Sequence, residues 1–136
     1  MKLIIAEDDA NLINMISPYL KEKGYEVDWV PDGKELLKKI KSVRFDIIIS
    51  DIHMPDMSGV EVLKNVRLME EYKRTPFILW SGIAIEEGEK ISKEYEKVRF
   101  MKKPFTVRQL EDFICELTRL EIIDSFSDSQ QFKLEE

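Results

Sequence analysis

The run Phe45–Gly59, F-D-I-I-I-S-D-I-H-M-P-D-M-S-G, constrains the fold more than any other stretch of the chain. Ile47, Ile48 and Ile49 follow one another with no polar residue between them. A strand with one wet face alternates apolar and polar residues. An unbroken β-branched run instead suits a central parallel strand covered on both faces. Parallel neighbours need long crossover connections, usually helices. The same run ends on a carboxylate, Asp51, with His53, Pro55 and Gly59 close behind. A buried strand that stops at an acid, with a tight loop after it, calls for a chemical explanation.

The remaining sequence supplies the neighbours such a strand needs. Lys2–Ala6 reads as a short buried strand ended by Glu7, Asp8 and Asp9. Asn11–Glu22 has helical apolar spacing, with Pro18 expected to kink it near Asn14 and Gly24 to stop it. Tyr25–Val30 alternates as a strand, and Asp32 with Glu35 opens a second helix. Met57–Glu71 is predicted helical, Pro76–Trp80 a strand, and Ile85–Tyr95 a poorer helix interrupted by Gly88. Val98–Met101 is a fifth strand. Thr106 and Gln109 then form a T-x-x-Q capping box for a last helix that buries Leu110, Phe113, Ile114, Leu117 and Leu120. The pattern is (βα)₅, an α/β doubly wound parallel sheet with right-handed crossovers and helices on both faces. Asp124–Glu136 turns polar and reads as a helix end, a tail or the start of a linker.

Ligands of open parallel sheets bind at the carboxyl ends of the strands. Strand 1 ends on Glu7 and Asp8, strand 3 on Asp51, strand 4 on Ser81 and strand 5 on Lys103. Strand 2 alone ends without a polar group of comparable interest. Taken singly, each is an ordinary loop residue, helix cap or surface charge; their joint occurrence carries the signal. Three neighbouring carboxylates repel one another, and a hard divalent cation such as Mg²⁺ resolves the conflict. An Asp beside such a cation is a competent nucleophile toward a phosphoryl group, with Ser81 and Lys103 placed to meet the phosphoryl oxygens.

Composition narrows the alternatives. One histidine and one cysteine leave no His/Cys metal cluster, and a single cysteine points weakly to a reducing cytoplasm. A net charge of −6 argues against direct nucleic-acid binding by this chain. No apolar run approaches the ~20 residues of a membrane span.

With E-D-D (Glu7–Asp9), the Asp51–Gly59 motif D-I-H-M-P-D-M-S-G, W-S-G (Trp80–Gly82) and K-P-F (Lys103–Phe105) in this order and spacing, the chain resembles a receiver domain. The family is that of the bacterial two-component response regulators, of the chemotaxis-regulator kind. The resemblance covers roughly residues 2–121, leaving 122–136 as a tail or linker start. It implies a flavodoxin-like fold with strand order 2-1-3-4-5. It implies Asp51 as phosphoacceptor. Asp8, Asp51 and the His53 backbone carbonyl become ligands of Mg²⁺ or Mn²⁺, with Glu7 acting through a bound water. Ser81 and Phe100 match the switch positions, and Lys103 the phosphate-binding lysine. Asp9 is the less expected ligand.

The resemblance further implies a signalling phosphoacceptor rather than an enzyme acting on an external substrate. The donor would be a histidine kinase or histidine phosphotransfer protein. The face formed by the fourth helix, fifth strand and fifth helix would carry the output, with phosphorylation-dependent homodimerisation as one form of it. The 16 residues after Leu120 are too few for an effector domain, so the output is a separate protein target or an effector domain missing from this chain. A phosphate-independent interaction module is the alternative. A metal-dependent phosphatase would want an acid at position 53, where this chain has His53. Trp80 stands where the family usually has a smaller aliphatic residue.

Overall fold

The computed structural model describes residues 1–119. The expected domain end near residue 121, the place of Leu120 on the last helix and the tail 122–136 lie outside the described residues. Five strands, β1 (Lys2–Ala6), β2 (Glu26–Val30), β3 (Ile47–Asp51), β4 (Phe77–Ser81) and β5 (Val98–Lys102), form one sheet in the order β2-β1-β3-β4-β5. Every pairing is parallel. Between and after the strands run α1 (Ala10–Glu22), α2 (Gly33–Ser42), α3 (Gly59–Leu68), α4 (Ile85–Glu94) and α5 (residues 107–119).

The isoleucine run behaves as its composition dictates. Ile47, Ile48 and Ile49 are all inaccessible to solvent. Ile48 packs into the layer with Leu36, Leu63 and Val66, while Ile47 and Ile49 pack into the opposite layer with Ile16, Ile114 and Leu117. Each such side chain contributes about 1.5–3 kcal/mol by burial. The central strand is thus held from both sides, and Asp51 at its end inherits that rigidity.

The helix termini explain where chemistry can sit. Asp9 caps α1, its Oδ1 accepting from the backbone N–H groups of Asn11 (2.9 Å) and Leu12 (3.4 Å). Asp32 Oδ1 accepts from the Glu35 N–H at 2.8 Å. Both halves of the Thr106–Gln109 box form, at 2.9 and 3.1 Å.

Helix α1 runs from Ala10 to Glu22 with the exposed Pro18 inside it, its inner face anchored by Ile13, Ile16 and Leu20. The expectations for α3 and α4 are corrected. Helix α3 begins at Gly59 rather than Met57, because the Ser58 hydroxyl accepts from the Glu61 N–H at 3.2 Å. It ends at Leu68, and Glu70–Tyr72 forms a separate 3₁₀ turn. Helix α4 is continuous across Gly88, which is buried beneath the Phe100 ring.

Candidate functional site

Parallel pairing throughout the sheet brings the carboxyl ends of β1, β3, β4 and β5 to one edge. Glu7 and Asp8 leave β1 beside Asp51, and one carboxylate oxygen from each of the three lies within 4.8 Å of the others. Glu7 is fully buried and Asp51 is 7% exposed, while Asp8 stands at the open rim. The donor set is all hard oxygen, with an open side at Asp8. It therefore fits a small divalent cation that keeps several waters.

Lys103 reaches into this cluster from the loop after β5. Its Nζ donates to Glu7 Oε1 at 2.6 Å and to Asp51 Oδ2 at 3.0 Å. Burial alone would lower the lysine's pKa. The hydrogen bonds and charges of Glu7 and Asp51 overcome that, and the net displacement is upward. The His53 amide donates to the other Asp51 oxygen, Oδ1, at 3.1 Å, so the residue expected to contribute its carbonyl already contacts Asp51 through its N–H. Gly59 donates its N–H to the Ile52 carbonyl at 2.9 Å, folding the β3–α3 loop back onto the strand end.

Asp8 is held above the ordinary carboxylate range, first by partial burial and then by its hydrogen bond with and charge repulsion from Glu7. Since the folded state favours the protonated acid, ionised Asp8 detracts from stability at neutral pH. The deficit disappears as pH falls below the unfolded value. Asp8→Asn is therefore expected to raise the metal-free melting temperature at pH 7, by only about 1–2 °C because solvent screens the exposed Asp8. The gain should shrink on acidification to roughly pH 4. Calorimetry at the two pH values checks this; an unchanged or lowered neutral-pH melting temperature refutes it.

The two expected switch residues lie apart from the acid cluster's hydrogen bonds. Ser81 is buried at the end of β4, but its Oγ accepts from the N–H groups of Ile83 (3.2 Å) and Ala84 (3.1 Å). Phe100 is half-buried on β5, packed against α4. A Cβ placed on Gly88 would fall 2.2 Å from its ring.

Sequence reasoning missed the contacts that two indoles make with Glu7. Trp80 Nε1 donates to Glu7 Oε1 at 2.8 Å, and Trp29 Nε1 donates to the Glu7 carbonyl at 2.6 Å. Strand 2, expected to end without a polar group of interest, thus contributes Trp29. The sequence carries no signal for the Trp29 contact, which follows from the parallel register that pairs Ile5 with Trp29 just before Glu7.

A 2-1-3-4-5 parallel sheet with acids on β1 and β3 and a lysine after β5 defines the class of CheY-like signalling domains. The chain belongs to the response regulator receiver domain family, whose model matches residues 3–114. A chemotaxis response regulator of Vibrio cholerae, CheY4, is 33% identical with a TM-score of 0.77, the match covering 85% of this chain and 97% of that one. The regulatory protein VanRB of Enterococcus faecalis is 29% identical over 110 residues, 81% of this chain and 49% of VanRB. The cell cycle response regulator CtrA of Brucella ovis is 33% identical over 105 residues, 77% of this chain and 44% of CtrA. The chain spans about half the length of the curated relatives it matches. Receiver domains are the phosphoacceptors of two-component signalling rather than enzymes in the usual sense. Among the described residues, no helix is long and apolar enough to cross a membrane.

Proposed function

We propose that Asp51 accepts a phosphoryl group from the phosphohistidine of a histidine kinase or histidine phosphotransfer protein in the cytoplasm. The observation that carries this reading is the placement of Asp51. It ends the buried central strand, touches Lys103 Nζ at 3.0 Å, and shares a 4.8 Å cluster with Glu7 and Asp8. In the transfer, an Asp51 carboxylate oxygen forms the new O–P bond as the donor's N–P bond breaks, and the electron pair leaves with the imidazole. Asp8, Asp51 and the His53 carbonyl would hold Mg²⁺ or Mn²⁺, with Glu7 contributing through water. When bound, the cation supplies charge neutralisation for the carboxylates and the incoming phosphoryl oxygens.

The side chains then have distinct tasks. Lys103 holds Asp51 in place before transfer and meets a phosphoryl oxygen after it. Ser81 leaves the Ile83 and Ala84 amides to donate to a second oxygen. Phe100 turns toward the space the Ser81 side chain vacates, altering the α4–β5–α5 face. Phosphorylation thereby shifts a two-state equilibrium. The altered face signals to an effector region in the same polypeptide or to a separate protein target, homodimerisation being one form of output. Relatives named as regulatory proteins, of whose length the match covers 49% and 45%, support that reading.

Intact-mass measurement after incubation with acetyl phosphate and Mg²⁺ tests the core of the proposal. The chain should gain the mass of one phosphoryl group, and Asp51→Asn should gain none. Equal gain by the variant removes Asp51 as acceptor. No gain by the wild type points instead to a phosphate-independent interaction module.

A further inference from the structure

The chain has two tryptophans, Trp29 and Trp80, and both give their indole N–H to the same residue, Glu7. One fixes its main chain and the other its carboxylate. We propose that these indoles are positioning residues for the acid cluster, and that Trp80 sets the affinity of the site for a divalent cation, a role that rests on the cation site proposed above.

Glu7 is a fully buried carboxylate and must find its hydrogen-bond partners within the protein. Its Oε1 accepts from Trp80 at 2.8 Å and from Lys103 at 2.6 Å; its Oε2 accepts from the Asp9 N–H at 3.1 Å. The three donors hold one rotamer. Trp80 also presents its ring to Lys103, whose Nζ lies 5.8 Å from the ring centroid. It therefore touches both partners of the ion pair that lies against Asp51. The ring also packs on Phe105, with ring centroids 5.0 Å apart.

The division of labour on Glu7 follows from these contacts. Sharing Oε1 between an indole and an ammonium weakens the grip of Glu7 on Lys103, which must release it to meet a phosphoryl group. It also turns Oε2 away from Lys103. Without the indole N–H, Oε1 has Lys103 as its sole described donor. The carboxylate closes on the ammonium, and the acid cluster loses the spacing a cation needs. Outer partners that orient ligand groups commonly govern metal affinity in this way. Trp29 acts more weakly, because it stands at the exposed rim and fixes only the Glu7 carbonyl.

Trp80→Phe removes the N–H while keeping an aromatic ring beside Phe105 and Lys103. Its affinity for Mg²⁺, titrated by calorimetry, is expected to fall about tenfold, and that of Trp29→Phe about threefold. In metal-free Trp80→Phe, the Asp9 amide proton should also leave its wild-type NMR position, because Glu7 abandons the rotamer that accepts it. A purely structural role would lower the melting temperature and leave both readouts alone. Mg²⁺ binding within twofold of wild type, or an unmoved Asp9 amide, overturns the proposal for Trp80. Should Trp80→Phe fail to fold, Trp29→Phe decides the matter by the same affinity criterion. Failure of the wild type to bind Mg²⁺ would refute the cation site and the affinity role together. The Asp9 amide would then decide the positioning of Glu7 on its own.

Discussion

Gly59→Ala is expected to destabilise the domain by about 3 kcal/mol, the upper end for forcing extra volume into a packed site. A Cβ there would sit 2.2 Å from the Asp51 carbonyl oxygen and 2.9 Å from its carbonyl carbon. Those neighbours are backbone atoms of the central strand's end, so no rotamer change relieves the clash. Either α3 moves away from β3 or the main chain at Asp51 moves. Because the Gly59 N–H also anchors the loop to the Ile52 carbonyl, the displacement reaches the carboxylate itself. Urea unfolding should show the loss, and acetyl phosphate labelling should slow in the folded fraction. A loss under 1 kcal/mol with normal labelling would show that the contact between loop and strand is dispensable.

Lys103→Met is expected to cost the metal-free domain about 2 kcal/mol at pH 7, reduced from the full value for a broken buried pair because Lys103 is partly exposed. Its side chain is 24% exposed, against 1% for Glu7. The sign follows from the raised pKa of Lys103. The folded state binds its proton more tightly than the unfolded chain, so the stabilisation is complete below the ordinary lysine pKa. It is lost only as pH rises through the folded value. At pH 7 the whole contribution is therefore removed with the ammonium, leaving Glu7 and Asp51 facing each other. Mg²⁺ should restore most of the loss in the variant, since a cation can neutralise the same carboxylates. Urea midpoints with and without Mg²⁺ measure this; an equal loss in both conditions would contradict a shared role for ammonium and cation.

Much of this architecture was legible in the residues. The isoleucine run announced a strand buried on both faces, and Ile48 does face one layer while Ile47 and Ile49 face the other. The Thr106–Gln109 box marked the start of α5 through chemistry confined to four residues. The acids and lysine were legible as strand-end groups, because topology alone carries them to one edge. Contacts chosen in three dimensions were not legible in the same way. Nothing in the periodicity of β2 says that Trp29 reaches the Glu7 carbonyl, and the unusual size of Trp80 does not say that its N–H meets the Glu7 carboxylate. The orientation of the Ser81 hydroxyl was equally hidden, since a serine at a strand end can serve the following turn or a neighbouring ligand with the same sequence. Gly88 looked like a helix interruption because propensity sees its backbone and not the ring above it.

That ring has a mechanical consequence. Phe100 occupies the notch left by the missing side chain of Gly88, so a displacement of either along this contact would meet the other. Sliding α4 along the sheet requires the ring to leave, and withdrawing the ring frees α4 to settle closer. The two would then behave as a cam and its follower, a single coordinate in place of two. Any partner that clasps α4 would thereby register the position of an aromatic ring it never touches.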